Sequence, residues 1–117
     1  MKKRDAVAAL AALAQDNRLD VFRLLVEAGP EGLSAGSVAN ALKLAPNTLT
    51  FHFDRLRDAG LVTVRREGRS MIYAAQFHTM NALLAYLTDN CCRGAQEVCA
   101  TPASCKPAGA KRAKATT

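Results

Sequence analysis

The residues of this 117-residue chain best suited to chemistry are its four cysteines. All fall in one late stretch, NCCRGAQEVCATPASC, as Cys91, Cys92, Cys99 and Cys105. A thiolate is a soft donor, and a group of them selects soft, thiophilic ions. Trivalent arsenic or antimony, three-coordinate with a lone pair in the fourth direction, fits three cysteines. Zinc prefers four ligands and would need Cys105 or His78 as well. Copper(I), cadmium and lead are admitted by the same softness. Spacing adds a condition. Neighbouring residues on a helix point about 100° apart and seven residues rise roughly 10.5 Å. Cys92 and Cys99 therefore cannot reach one ion along a continuous helix, and Gly94 supplies the break after which the chain can fold back. Cys91, Cys92 and Cys99 are the expected ligands. Cys105, six residues on and past Thr101-Pro102, either replaces Cys99 or stands aside. The plainer alternative is a loose tail with incidental thiols. Against it stands a vicinal pair with two further cysteines close by, in a chain that has no others.

The same thiols also suit a redox switch. Cys91 with Cys92 would be a strained bridge, so Cys92 with Cys99 or Cys105 is the expected pairing there. Structural disulfides are not expected. Met1-Lys2-Lys3-Arg4 is basic, but Asp5, Gln15 and Asp16 interrupt the apolar residues after it, which reads as an uncleaved cytoplasmic start and not as a signal peptide. A thiol enzyme such as a metalloid reductase needs a nucleophilic cysteine in a built pocket with a base or an anion cradle. No such loop is visible, so the expectation is no enzyme and no organic cofactor. Nor is there a cluster of His, Asp and Glu for a harder ion: the only histidines are His52 and His78. No run of about 18 apolar residues offers a membrane span.

The elements that must carry these thiols read as helices around one central stretch, LAPNTLTFHFDRLRDAGLV, from Leu44 to Val62. Leu49, Phe53 and Leu56 recur at helical spacing on one face. Thr48, His52 and Arg55 repeat on another. Pro46 suits a first turn, where a missing N–H costs nothing, and Gly60 suits a stop. Before it, Ser34 caps a short helix, Ala35 to Leu42, with Val38, Ala39 and Leu42 inward. Two helices joined by a tight connection, Lys43 to Ala45, make a helix-turn-helix. After it, Leu61 to Arg66 alternates as a strand, Glu67 to Ser70 turns, and Met71 to Ala74 returns. The arginines at the tip, Arg65, Arg66 and Arg69, are placed to meet phosphates or a minor groove; the plain alternative is a solvated hairpin.

Three further helices complete the pattern. Asp5 to Ala14 carries Val7, Leu10 and Leu13, and is apolar almost all round, which predicts burial against a second subunit. Asn17 to Ala28 presents Leu19, Phe22, Leu25 and Val26, with Asp16 or Asn17 as cap and Gly29-Pro30 as stop. Phe77 to Asn90 carries the stripe Phe77, Met80, Leu83, Leu84 and Leu87. The expected architecture is mainly α with a β-hairpin wing, a winged helix-turn-helix of about five helices and two strands. Residues 1–92 form one DNA-binding and dimerisation domain, and residues 93–117 a cysteine-containing, then basic, tail expected to be disordered. Net charge is +6, but Lys106, Lys111, Arg112 and Lys114 supply four of the sixteen bases with no acid among residues 106–117. The rest holds twelve bases against ten acids, so charge argues for nucleic acid only by its placement.

Through the stretches NRLDVFRLLVEAG, LAPNTLTFHFDRLRDAGLV and VRREGRSMIY, residues 10–80 resemble the ArsR-type family of small winged-helix repressors that sense metals and metalloids. The resemblance implies a homodimer, joined through the first and last helices, that holds double-stranded operator DNA when empty and releases it on binding its inducer. Two recognition helices would then lie about one DNA turn, roughly 34 Å, apart. It implies DNA-reading roles for Asn47, Thr48, Thr50 and His52, with Arg66 and Arg69 in the wing; helical spacing adds Arg55. The chain departs from the family at Ala45, where members usually have a Ser cap, and at Phe51, where a polar or His residue is common. The helix before the recognition helix, SAGSVANAL, lacks the Cys-x-Cys of the best-known arsenic sensors. A vicinal pair and a third cysteine beyond the last helix resemble other arsenic repressors, so As(III) or Sb(III) is the expected inducer.

Overall fold

The computed structural model describes residues 1–90 and Arg93. The expected ligands Cys91, Cys92, Cys99 and Cys105 lie outside the described residues. In chain order the elements are α1 (Lys3–Leu13), α2 (Asp16–Ala28), β1 (Leu33–Ser34), α3 (Ala35–Leu42), α4 (Pro46–Asp58), β2 (Val62–Glu67), β3 (Ser70–Ala75) and α5 (Phe77–Leu87). Contacts divide the chain into Met1–Met80 and Asn81–Thr117.

In the first unit α2, α3 and α4 pack with the sheet around Val21, Phe22, Leu25, Val38, Leu49, Phe53, Leu56, Leu61 and Val62. Leu49, Phe53 and Leu56 are the inward face that their spacing predicts. Phe53 lies flat on Tyr73, with ring centroids 3.6 Å apart and planes 4° from parallel. The sheet has three strands, not two, in the order β1-β3-β2, all antiparallel. β2 and β3 form the expected hairpin, from Val62 opposite Ala75 to Glu67 opposite Ser70. β1 adds only Leu33 opposite Tyr73 and Ser34 opposite Ile72. It can come that close because Gly32 precedes it: a Cβ there would collide with the Tyr73 carbonyl.

The helix ends follow local chemistry. Ser34 Oγ accepts from Ser37 N–H at 3.1 Å, capping α3 as expected. The cap of α2 is Gln15, whose Oε1 accepts from Arg18 N–H at 2.9 Å, and not Asp16 or Asn17. Asp16 is instead in the first turn, where its carboxylate favours the positive end of the helix dipole. α4 closes with Gly60 at φ 77, Gly60 N–H on Arg57 C=O and Leu61 N–H on Leu56 C=O, each at 2.9 Å. This double closure, with the buried Leu61 as its apolar partner, is the Schellman arrangement.

α1 turns its alanines inward. Ala6, Ala9 and Ala12 are buried, whereas Val7 and Leu10 remain 57% and 43% exposed. Small residues let the helix approach α2 closely, and Arg18 Nε donates to the Ala12 carbonyl at 2.6 Å to fix the corner. Leu19, expected inward, is exposed; Val21 takes that place. α5 ends at Leu87, short of Asn90, whose φ of 59 is a helix-terminating conformation. Of its predicted stripe Leu83 is buried and Leu87 is exposed.

Replacing Phe53 by Ala removes the Tyr73 stack and opens a cavity. The expected loss is about 3–5 kcal/mol, read as a shift of the urea midpoint followed by circular dichroism; Phe53→Leu should lose much less.

Candidate nucleic-acid interface

On a 3.6-residue period, α4 has two faces. Leu49, His52, Phe53 and Leu56 are its buried side, while Asn47, Thr48, Thr50, Phe51, Asp54, Arg55, Arg57 and Asp58 are exposed. The exposed face begins at an open helix end. Ala45 is the N-cap and makes no side-chain capping bond, and Pro46 begins the first turn. Asn47 Oδ1 accepts from Thr48 N–H at 3.1 Å, which leaves the amide NH2 of Asn47 free to donate. Thr50 Oγ1 donates to the Pro46 carbonyl at 3.0 Å, so that hydroxyl keeps only its acceptor capacity. Uncapped backbone N–H groups and small polar side chains at a helix start suit phosphate and base-edge contacts.

Phe51 sits amid these groups and is 51% exposed. The Arg55 guanidinium lies over its ring, 5.0 Å from the centroid. Arg55 also borders a cleft of about 260 Å³ with Arg18, Asp58, three alanines of α1 and Ala59, the C-cap of α4. Sequence reasoning registered Phe51 only as a departure from a family pattern. Its exposure was legible from its phase, two positions from both Leu49 and Phe53.

The three wing arginines differ. Arg65 is a strut: Nε meets Glu67 Oε2 at 2.6 Å, and a terminal nitrogen donates to the Glu31 carbonyl at 2.7 Å. Arg66 Nε donates to the Gly68 carbonyl at 3.2 Å, leaving its outer nitrogens available. Arg69, at the two-residue turn, makes no side-chain hydrogen bond or ion pair among the described residues.

His52 does not stand with the reading residues. It is 5% exposed, and neither ring nitrogen has a hydrogen-bond partner. The reason is the width of the apolar stripe: from Leu49, the positions three, four and seven residues on are His52, Phe53 and Leu56, one continuous inward arc. Burial, reinforced by the nearby Arg18 charge, lowers the pKa of His52 below the ordinary value for histidine. Among the described residues no group of three or more His, Cys, Asp or Glu side chains could hold a metal ion.

A family model described as a helix-turn-helix domain matches residues 13–65. The transcriptional regulator YgaV of Escherichia coli is 30% identical over 87 residues, 74% of this chain and 86% of the relative. The transcriptional activator HlyU of Vibrio cholerae is 30% identical over 91 residues, 78% and 82% of the two chains. Its reduced form superposes with a TM-score of 0.60 at 28% identity, covering 69% of this chain and 83% of that one. An ArsR-like regulator from Rhodococcus sp. RHA1 reaches a TM-score of 0.64 at 26% identity, over 72% of this chain and 76% of that one. The chain belongs to the ArsR-type winged helix-turn-helix transcriptional regulators. It is a DNA-binding regulator and not an enzyme. Among the described residues no helix is long and apolar enough to cross a membrane.

In this ArsR-type regulator α4 is the recognition helix and the β2–β3 hairpin the wing. Two consequences are measurable. Arg69→Ala should weaken binding evenly across DNA sequences and lower the slope of log affinity against log salt by about 0.9, in anisotropy titrations over a salt series. His52 links stability to pH. Its folded pKa is depressed, so the unfolded chain takes up a proton that the folded chain resists. The stability due to neutral His52 is complete above about pH 6.5 and is lost as pH falls below that value towards the lowered pKa. Urea midpoints at neutral and mildly acid pH should separate for the wild type and draw together for His52→Leu.

Proposed function

We propose that this ArsR-type regulator is an arsenite- or antimonite-responsive repressor. It holds operator DNA as a homodimer and releases it when Cys91, Cys92 and Cys99 take up one As(III). The observation that carries the reading is the confinement of all four cysteines to the stretch after the last helix, beginning with a vicinal pair. Arsenous acid exchanges its three hydroxyl groups for three thiolates, each thiol proton leaving with a hydroxide as water. Softness and a coordination number of three favour this ion over zinc. The exposed Val7 and Leu10 of α1, and Tyr86 and Leu87 of α5, support a two-fold seam through the first and last helices. Ligation joins the three thiolates and pulls on the end of α5, which changes the spacing of the two recognition helices. The ligand shifts the balance only by its preference for the released state. A second reading keeps the fold and makes oxidation of the thiols the stimulus. It is supported by the likeness to HlyU, a relative solved in a form specified as reduced.

The test is fluorescence anisotropy with the reduced full-length protein and a labelled duplex, selected from a random-core library on that protein. Release is expected at about one arsenite per subunit, with zinc inert and Cys91→Ser unresponsive. Release from Cys91→Ser would reject the ligand set. Release by peroxide but not arsenite would establish the redox reading. Because HlyU is an activator, run-off transcription reads the sign: added protein should lower the transcript and arsenite restore it.

A further inference from the structure

We propose that Phe51 determines part of the operator specificity by packing its ring against the C5-methyl group of thymine in the major groove. The inference rests on α4 being the recognition helix, and not on the identity of the inducer. Single exposed apolar residues are ordinary on protein surfaces, but Phe51 differs in where it stands and what holds it. The core face of α4 is complete without it: Leu49, Phe53 and Leu56 are each at most 2% exposed. On the helical period Phe51 shares the outward face with Asn47, Asp54 and Arg55, so it is the one large apolar side chain among the polar groups of that face. Arg55, one turn on, lies across the ring at 5.0 Å. Its cation–π contact restrains the ring in place.

The chemistry of the groove then selects the ligand. A recognition helix enters the major groove, where every base edge presents hydrogen-bond donors or acceptors, and only thymine adds an apolar group, its methyl. An aromatic ring in the middle of the reading face therefore gains contact area over thymine and over no other unmodified base. Over a guanine or cytosine edge it would strip water from polar atoms and return no hydrogen bond. Insertion between base pairs is a minor-groove habit of apolar wedges and does not suit the middle of a major-groove helix. The Arg55 guanidinium, beside the ring, remains free to meet the acceptors of a neighbouring base or a phosphate.

The full-length protein is first used to select duplexes from a random-core library. Each thymine of the enriched sequence is then replaced by deoxyuridine, which removes the methyl and keeps the base pair. At the thymine under Phe51 the wild type should lose about fourfold in affinity per methyl, from roughly 0.8 kcal/mol per buried carbon. Replacement in both half-sites should cost roughly fifteenfold. Phe51→Ala should bind the thymine and uracil duplexes equally, and Phe51→Leu should keep part of the preference. The deoxyuridine series on the wild type needs no variant, and the melting temperature of Phe51→Ala checks its folding. Uracil effects that are absent, or equal in wild type and Phe51→Ala, would overturn the inference while leaving DNA binding intact. A wild type that enriches no sequence would overturn both this inference and the regulator reading beneath it.

Discussion

The stack of Phe53 on Tyr73 is the contact on which the rest of the first unit depends. Tyr73 lies in the middle strand, opposite Val64 on one side and Leu33 on the other. One ring therefore meets the recognition helix while its backbone joins the wing to the strand that leads into α3. The recognition-helix face and the wing hairpin are thus joined by one aromatic pair, a buried Phe53 on a half-buried Tyr73. This is why the reading face can be polar and open. Its orientation is secured from behind, by large apolar side chains that bury far more area than the exposed groups could recover through bonds to one another.

The two ends of α4 are treated unequally, and the difference matches their work. The C-terminal end is closed twice over, through Gly60 and Leu61. The N-terminal end has Ala45 where a hydroxyl or carboxylate would satisfy the first N–H groups. Lack of a cap costs about 1 kcal/mol of helix stability, and with Pro46 lacking an N–H and the Thr48 N–H taken by Asn47 it leaves the Asn47 N–H and a positive dipole end unused by the protein itself. An anion can take the place of the missing cap. Stability is concentrated where the chain turns back into the sheet, and unsatisfied groups are left where a phosphate can satisfy them.

What could be read in the sequence was local and periodic. Leu49, Phe53 and Leu56 announce a face; Pro46 and Gly60 announce its limits; Ser34 announces the start of α3. What could not be read depended on distant partners or on residue type overriding position. β1 is two residues long, too short for any period, and exists because Tyr73 is forty residues away in the chain. Arg65 looks like its neighbours until the Glu31 carbonyl claims it. Gln15 is an uncommon cap, so the acids beside it drew the expectation. The all-round apolar pattern of α1 did not say which side faces its own domain; the alanines lie there, because only small side chains let α1 come close, and Val7 and Leu10 stay exposed. Of the candidate site, the helix and the hairpin that carry it were legible as elements. His52 was placed outward because histidine was read as polar before its phase was considered, and the expected cysteine ligands lie outside the described residues.

Phe51 and His52 are thus an exchanged pair. An apolar ring stands in water while a titratable ring is buried beside it, the two in edge-to-face contact at 5.9 Å. Gln76, immediately before α5, donates its N–H to the Leu61 carbonyl at 2.7 Å, and Leu61 in turn donates to Leu56, in the last turns of α4. The start of α5 is therefore tied to the closed end of the recognition helix through two backbone hydrogen bonds, and the same helix is held from behind by the Phe53–Tyr73 stack.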